Sequence, residues 1–174
     1  MAPAVSTGRV GGFTLLEVLI VLAVLSTLLA LGIGSYLRWR ATSTALQGAQ
    51  EFSQAVLNTR TGAKRANACW QLSLVAYTAT NTQYQIKEYG TATCPTGATP
   101  APLRTRVYTM PAGTQLVRVS STGTVSTTTS TINFTPPYGT SDASPDSYQS
   151  RWTADTTIKR DIRVTGVFGK VIIK

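Results

Sequence analysis

The amino-acid sequence predicts an α+β protein in which one long N-terminal helix packs against a C-terminal antiparallel β-sheet domain. Three observations lead to this fold class. An apolar run extends over residues 13–37, apolar side chains then recur at helical spacing to about residue 66, and from residue 67 the pattern alternates with a period of two. A chain of 174 residues is long enough for one globular domain with its own core.

The apolar run from Phe13 to Leu37 is long enough to cross a membrane. As a helix it would measure about 37 Å, against about 30 Å for a hydrocarbon core. The preceding segment, 1–12, ends on two glycines, Gly11 and Gly12. A secretory signal has its small-residue cleavage site after the apolar region, so cleavage at these glycines would instead leave the helix on the mature protein. A plain signal anchor is the alternative that composition leaves open.

Glu17 is the one charged side chain of the apolar run. A carboxylate at mid-bilayer costs about 2.5 to 3.5 kcal/mol on insertion scales, and less near the interface. We therefore expect it to have a partner. Cleavage after Gly12 would create an α-amino group on Phe13, one helical turn away, and the amine of a neighbouring subunit could serve equally well. Negative charge is also favourable at a helix N-terminus.

The segment from Gly12 to Ile20, GFTLLEVLI, resembles the type III signal of type IV pilins and pseudopilins. The resemblance implies that a prepilin peptidase cuts between Gly12 and Phe13, that Phe13 is then N-methylated, and that Glu17 guides subunit docking. It also implies the partners, which are membrane lipid, the peptidase/methyltransferase, an inner-membrane assembly platform and other pilin or pseudopilin subunits. The protein would cross the bacterial inner membrane once, with its C-terminal domain extracytoplasmic, before assembly.

The first 66 residues then divide into a leader (1–12), a transmembrane helix (13–37) and an amphipathic continuation of the helix (38–66). Gly32 and Gly34 favour either local unwinding or close helix packing. The sequence Arg38-Trp39-Arg40 is typical of an interfacial anchor. In the continuation, one apolar stripe is predicted to face the domain; its members are Ala45, Ala49, Phe52, Val56 and Ala63.

The β-rich domain is assigned to residues 67–174. A hairpin is predicted from 70–76 and 82–89, followed by a loop over 91–102 and further strands over 104–110, 114–120, 124–134, 157–164 and 167–173. Cys69 and Cys94 lie in this part of the chain. An extracytoplasmic location allows a disulfide between them, with two buried free thiols as the alternative.

No feature of the sequence predicts an enzyme, a cofactor or a metal. The chain has no His, which removes the commonest general base and zinc ligand. Its glycines before the apolar run lack the Lys and Ser/Thr of a phosphate-binding loop. Asp142 and Asp146 share a Ser-rich segment with calcium-type oxygens, but a solvated loop is the preferred interpretation.

Basic residues gather near the C-terminus of a chain whose formal charge is +9. Phosphates attract such cations and an aromatic ring can stack on a base, so a DNA-contacting surface is one hypothesis. Protection of sheet edges is the other. The candidate set is Arg151, Trp152, Lys159, Arg160, Arg163, Lys170 and Lys174.

A second, shorter resemblance concerns the segments 132–139, 162–166 and 169–173 (INFTPPYG, IRVTG and GKVII), which are similar to GspH/FimT-like minor pilins. It implies a minor pilin or pseudopilin, a structural subunit of a type IV pilus or a type II secretion pseudopilus. The alternative function is a filament-borne DNA receptor for DNA uptake that uses the basic C-terminal region. A membrane-anchored enzyme would need a catalytic set that the sequence does not offer.

Overall fold

A computed structural model describes residues 13–97, 99–120, 122–141 and 146–174. The chain forms two compact units, Met1–Trp39 and Arg40–Lys174. One helix, α1, spans Leu15–Ala66. The strands that follow are β1 Trp70–Leu74, β2 Gln83–Glu88, β3 Arg104–Thr109, β4 Thr114–Val119, β5 Thr131–Thr135, β6 Thr140–Ser141, β7 Asp146–Trp152, β8 Lys159–Thr165 and β9 Lys170–Ile173.

In the first unit, the large apolar side chains described between Phe13 and Leu37 are exposed. Helix α1 contains a window with a mean hydropathy of 2.6 that is not buried by other parts of the chain. By length and composition it could cross a membrane. Gly32 and Gly34 are both helical, and no atom lies near the position that a Cβ would take on either.

In the second unit, the part of α1 after Arg40 supplies the centre of the core. The predicted apolar stripe is confirmed, since its five members are fully buried. Phe52 carries the largest of these side chains. Its ring lies 5.4 Å from the ring of Tyr84 and 4.9 Å from that of Tyr148, measured between centroids. Aromatic pairs in tilted or edge-on arrangements are favourable at such distances.

Two antiparallel sheets share this helix, which confirms the predicted fold class. Sheet A has the strand order β3-β2-β1-β5-β6, and sheet B has the order β4-β7-β8-β9. Phe52 touches both, because Tyr84 belongs to β2 and Tyr148 to β7. The predicted β1–β2 hairpin is present, with Leu72 opposite Ile86.

Two of the strand predictions were wrong in part, and the strand β7 was not predicted. The proposed strand over 124–134 is a strand only from Thr131, although Val125 forms one bridge with Val119. Residues 167–169 form a turn rather than the start of β9. The sequence pattern does not predict β7, because the composition of this strand, DSYQSRW, is mostly polar. This strand nevertheless lies between β4 and β8, and Tyr148 and Ser150 are buried within it.

The interpretation of Asp146 as part of a solvated loop was also wrong. Asp146 begins β7 and is 5% exposed. Its carboxylate accepts hydrogen bonds from Arg118 Nε at 2.7 Å, Ser130 Oγ at 3.0 Å and Tyr148 Oη at 2.8 Å. Buried carboxylates require such partners. Asp142 lies outside the described residues.

Candidate functional site

The start of α1 is capped by Thr14. The backbone N–H of Glu17 donates to Thr14 O at 3.1 Å and to Thr14 Oγ1 at 3.3 Å. Thr at the N-cap and Glu three residues later make the sequence pattern of a capping box, in which polar groups satisfy the free N–H groups of the first turn. Thr14 was not among the predicted site residues, although the Thr-x-x-Glu pattern is a sequence signal for this position.

Phe13 and Glu17 lie at the exposed beginning of the helix. Phe13 is 81% exposed, and the side chains of Leu15 and Leu16 beside it are also exposed. Glu17 is the acidic residue of the first turn, where the helix dipole favours negative charge. Gly12, the other residue of the predicted cleavage site, lies outside the described residues.

Cys69 and Cys94 form a disulfide, as predicted, with 5.1 Å between their Cα atoms. Cys69 is fully buried just before β1. Backbone hydrogen bonds support the same junction, from Cys69 N to Thr91 O at 2.7 Å and from Tyr89 N to Cys69 O at 2.9 Å. Gln71 Nε2 also donates to Pro95 O at 3.0 Å. The bridge therefore fixes the segment after β2, which is the predicted loop, against the start of β1.

Sheet B places five of the seven candidate basic-surface residues on the face turned away from α1. Arg151 is directly opposite Lys159, and Arg163 is opposite Ile172. Residues directly opposite each other in an antiparallel pair share a face, and every second residue along a strand shares it too. We call this surface the outer basic face; it comprises Arg151, Lys159, Arg163, Lys170 and Lys174.

Arg151 is the least available cation of the outer basic face. Its guanidinium donates to Gln149 Oε1 through Nε at 2.8 Å and also through Nη2. Gln149 in turn donates to Asp161 Oδ1 at 2.5 Å. Burial lowers the pKa of Arg151, and the nearby carboxylate of Asp161 opposes that shift. The side chains of the other four cations are exposed.

Trp152 and Arg160 are separated from that set, because they lie on the opposite face of sheet B. Arg160 is paired with Ser150, whose side chain is buried. Trp152 is paired with Thr114, and its ring covers Gly113, where a Cβ would lie 2.5 Å from Trp152 Cη2. A base stacked on Trp152 would therefore not share a surface with Lys159 and Arg163.

Comparison with known proteins gives two matches of different kinds. Residues 8–33 match the model of the prokaryotic N-terminal methylation motif. The structure is similar to that of the type IV minor pilin FimU of Pseudomonas aeruginosa, with a TM-score of 0.50 and 14% sequence identity over 75% of this chain and 87% of that one. A second crystal form of FimU gives a TM-score of 0.47 with 14% identity, over 74% and 91% of the two chains. No curated protein sequence matches the chain significantly.

The two matches concern different parts of the molecule, since one is a sequence motif at the N-terminus and the other is the fold. The motif covers the start of the apolar helix, and the fold is one long helix packed against antiparallel sheets. The chain therefore combines an N-terminal methylation motif with the fold of a type IV pilin. The solved structure that it resembles is a minor pilin.

Proposed function

We propose that this protein is a minor pilin or pseudopilin, a structural subunit of a type IV pilus or a type II secretion pseudopilus. In this proposal the precursor is cut after Gly12 and methylated on Phe13, and the mature protein assembles through its apolar helix. The observation that carries the proposal is the methylation motif over residues 8–33, which covers the start of the long helix of a pilin fold. The leader (1–12), the membrane-spanning segment (13–37) and the extracytoplasmic domain follow from the same assignment.

The chemistry of the first helical turn supports assembly. The apolar side chains from Phe13 onward are exposed, so they require lipid before assembly and neighbouring helices after it. Within this apolar surface, Glu17 is the one acid, and the Phe13 amine created by cleavage is the one base that the cut would add. Their attraction across two subunits would set the axial position of one helix against the next.

Cell fractionation tests the proposed role. Cells making the full-length protein are sheared, and the protein is quantified in the filament fraction and in the membrane fraction. We expect the processed form in both fractions and the precursor in membranes alone. A precursor that persists in sheared filaments, or a protein that stays wholly in membranes while filaments form, would contradict the proposal.

A second candidate function, a filament-borne DNA receptor, is favoured by the outer basic face. Four exposed cations share this face, namely Lys159, Arg163, Lys170 and Lys174. Phosphate contacts by such cations would give affinity that falls steeply as salt rises. The opposing interpretation is that Lys170 and Lys174 protect the free edge of β9 from pairing with other strands.

Salt-dependent DNA binding separates these interpretations. Detergent-solubilised full-length protein is titrated with a DNA duplex at 50 and 200 mM salt. If the face binds DNA, the Lys159→Gln, Arg163→Gln double variant should lose at least about tenfold in affinity, with a smaller salt slope. The matched control is Arg104→Gln, Arg106→Gln on β3. Equal losses in both double variants would show general electrostatic attraction and contradict a receptor role for the outer basic face.

A further inference from the structure

Two turns from different sheets meet beside the C-terminal part of α1. The β5–β6 turn contains Tyr138, and the β8–β9 turn contains Val167 and Phe168. Ser141 N, just past the first turn, donates a hydrogen bond to Val167 O at 2.5 Å. The three side chains are 69%, 58% and 57% exposed, respectively. We name Tyr138, Val167 and Phe168 the tip cluster.

Glycines fix the position of both turns. Gly139 and Gly169 have φ angles of +62° and +57°, in the left-handed region that favours glycine. A Cβ on Gly139 would lie 2.9 Å from Arg60 Cγ and 3.0 Å from Arg60 O. A Cβ on Gly169 would lie 2.7 Å from Phe134 Cε1 in the core. Both turns therefore sit directly on packed parts of the domain, which holds the tip cluster in a fixed place.

The two turns do not require exposed apolar side chains at these positions. Turns favour small and polar residues, which water solvates at no cost. Instead, two aromatic residues and a valine are exposed on two turns that both contact Arg60, and grouped exposed apolar residues mark interaction sites. Aromatic residues and Arg are also the residues that most often dominate the energy of protein interfaces.

The tip cluster has a cationic rim. The guanidinium carbon of Arg60 lies over the Phe168 ring, 5.2 Å from its centroid, and Lys64 Cγ would be 2.9 Å from a Cβ on Gly139. The ion pairs formed within the described residues join Arg106 to Glu88 and Arg118 to Asp146, and so leave both rim cations uncompensated. A partner that covers the cluster would bind most favourably if its carboxylates faced these two cations.

The net charge of this unit and the position of the tip cluster further restrict which partner can bind the cluster. Residues 40–174 carry 14 Lys and Arg against 6 Asp and Glu, so a second copy of this domain would be repelled. Arg60 follows Arg40 by 20 residues, or about 30 Å along α1. The tip cluster is therefore far from the point where the chain enters this unit, which disfavours a lipid surface as the occupant.

We propose that the tip cluster, with Arg60 and Lys64, binds the globular domain of a second, different pilin-type subunit whose contacting surface is acidic and has an apolar recess. This inference rests on the proposed function, and it adds the docking surface and the charge of the partner. The tip cluster would insert into the recess, and carboxylates of the partner would pair with the two rim cations.

Site-specific cross-linking in the native bacterium tests the inference on the full-length protein. A photoreactive phenylalanine replaces Tyr138 or Phe168, and Leu103, which is 78% exposed near the edge of sheet A, is the matched control position. We expect a product at least about tenfold stronger from 138 and 168 than from 103. The partner should itself carry a prepilin-type signal and a net negative globular domain.

Substitutions of Lys64 test whether the contacting surface of the partner is acidic. Lys64→Glu should reduce the cross-link about tenfold, because a like charge then faces the acidic partner, whereas Lys64→Arg should preserve it. Cross-links to a second copy, to nucleic acid, to lipid or to a cationic protein would overturn the inference, as would equal yields at 138, 168 and 103. If the protein is processed and present in filaments but any of these results is found, the tip inference alone fails. An unprocessed protein would contradict the proposed function itself.

Discussion

Arg118 on β4 donates from Nε to Oδ1 of Asp146 on β7, at 2.7 Å, and this ion pair lies within a set of polar contacts that closes one end of sheet B. Arg118 Nη1 also donates to Ser126 Oγ at 3.1 Å and to Thr128 O at 3.2 Å. The pair therefore holds the segment between β4 and β5 against the sheet. Asp146 is 5% exposed. Without the charge of Asp146, the guanidinium of Arg118 would have no counterion in this ion pair.

We expect Asp146→Asn to lower the free energy of unfolding by about 2 to 4 kcal/mol, because it leaves a partly buried cation unpaired. Glu88→Gln is the matched control. It removes the acid from the ion pair with Arg106, whose side chain is 42% exposed, and should cost less than about 1 kcal/mol. Thermal unfolding of the full-length protein in detergent, followed by near-ultraviolet circular dichroism, measures both. Equal losses would show that the Asp146 pair has no special role.

The disulfide gives a second prediction. Cys69 and Cys94 are 25 residues apart in sequence, and closing a loop of this size is worth about 3 to 4 kcal/mol in the chain-entropy model. The Cys69→Ser, Cys94→Ser double variant should lose about that much stability. Thiol labelling of the unfolded, unreduced wild-type protein provides the direct check. Two labelled cysteines would contradict the bridge.

Stability should also fall at alkaline pH. Burial, followed by the charge of Glu51 and the neighbouring Tyr108, raises the pKa of Tyr84 to about 12 from 10.0. The folded state therefore keeps this phenol proton longer than the unfolded state, so the stabilisation is complete below pH 10 and is lost as the pH rises from 10 through 12. The Tyr84→Phe variant should show a shallower fall in unfolding temperature over this window than wild type. Parallel curves for the two proteins would refute the assignment.

The helix and its buried stripe could be predicted from the sequence, because the spacing of Ala45, Ala49 and Phe52 reports burial directly. The strand β7 could not, because its burial depends on neighbours contributed by β4 and β8. The Arg118–Asp146 pair could not be predicted either, because its members are 28 residues apart in sequence and meet only through the pairing of β4 with β7. The face of each basic residue likewise depends on strand register, which separates Arg160 and Trp152 from Lys159 and Arg163.

A further prediction concerns Glu17. Glu17→Gln keeps the size of the side chain and removes its charge, so a neighbouring Phe13 amine would lack its partner in the filament. The peptidase is expected to recognise mainly the glycines at the cleavage site, so leader cleavage should persist in this variant. We expect the ratio of protein in sheared filaments to protein in membranes to fall at least about tenfold, since breaking a buried charge pair typically costs about 3 to 5 kcal/mol. Glu17→Asp, which keeps the charge, is the control. Wild-type incorporation of Glu17→Gln would rule out the charge-pair account of docking.

The mass of the mature N-terminus tests the central claim most directly. Protein purified from the membranes of cells that produce the full-length chain is digested, and its N-terminal peptide is sequenced by mass spectrometry. The account predicts a peptide that begins at Phe13 and carries one methyl group on its α-amine, and it predicts that replacing Gly12 with a bulky residue leaves the precursor uncut. A mature protein that begins at Met1, or one cut after the apolar run at Leu37 or beyond, would contradict it.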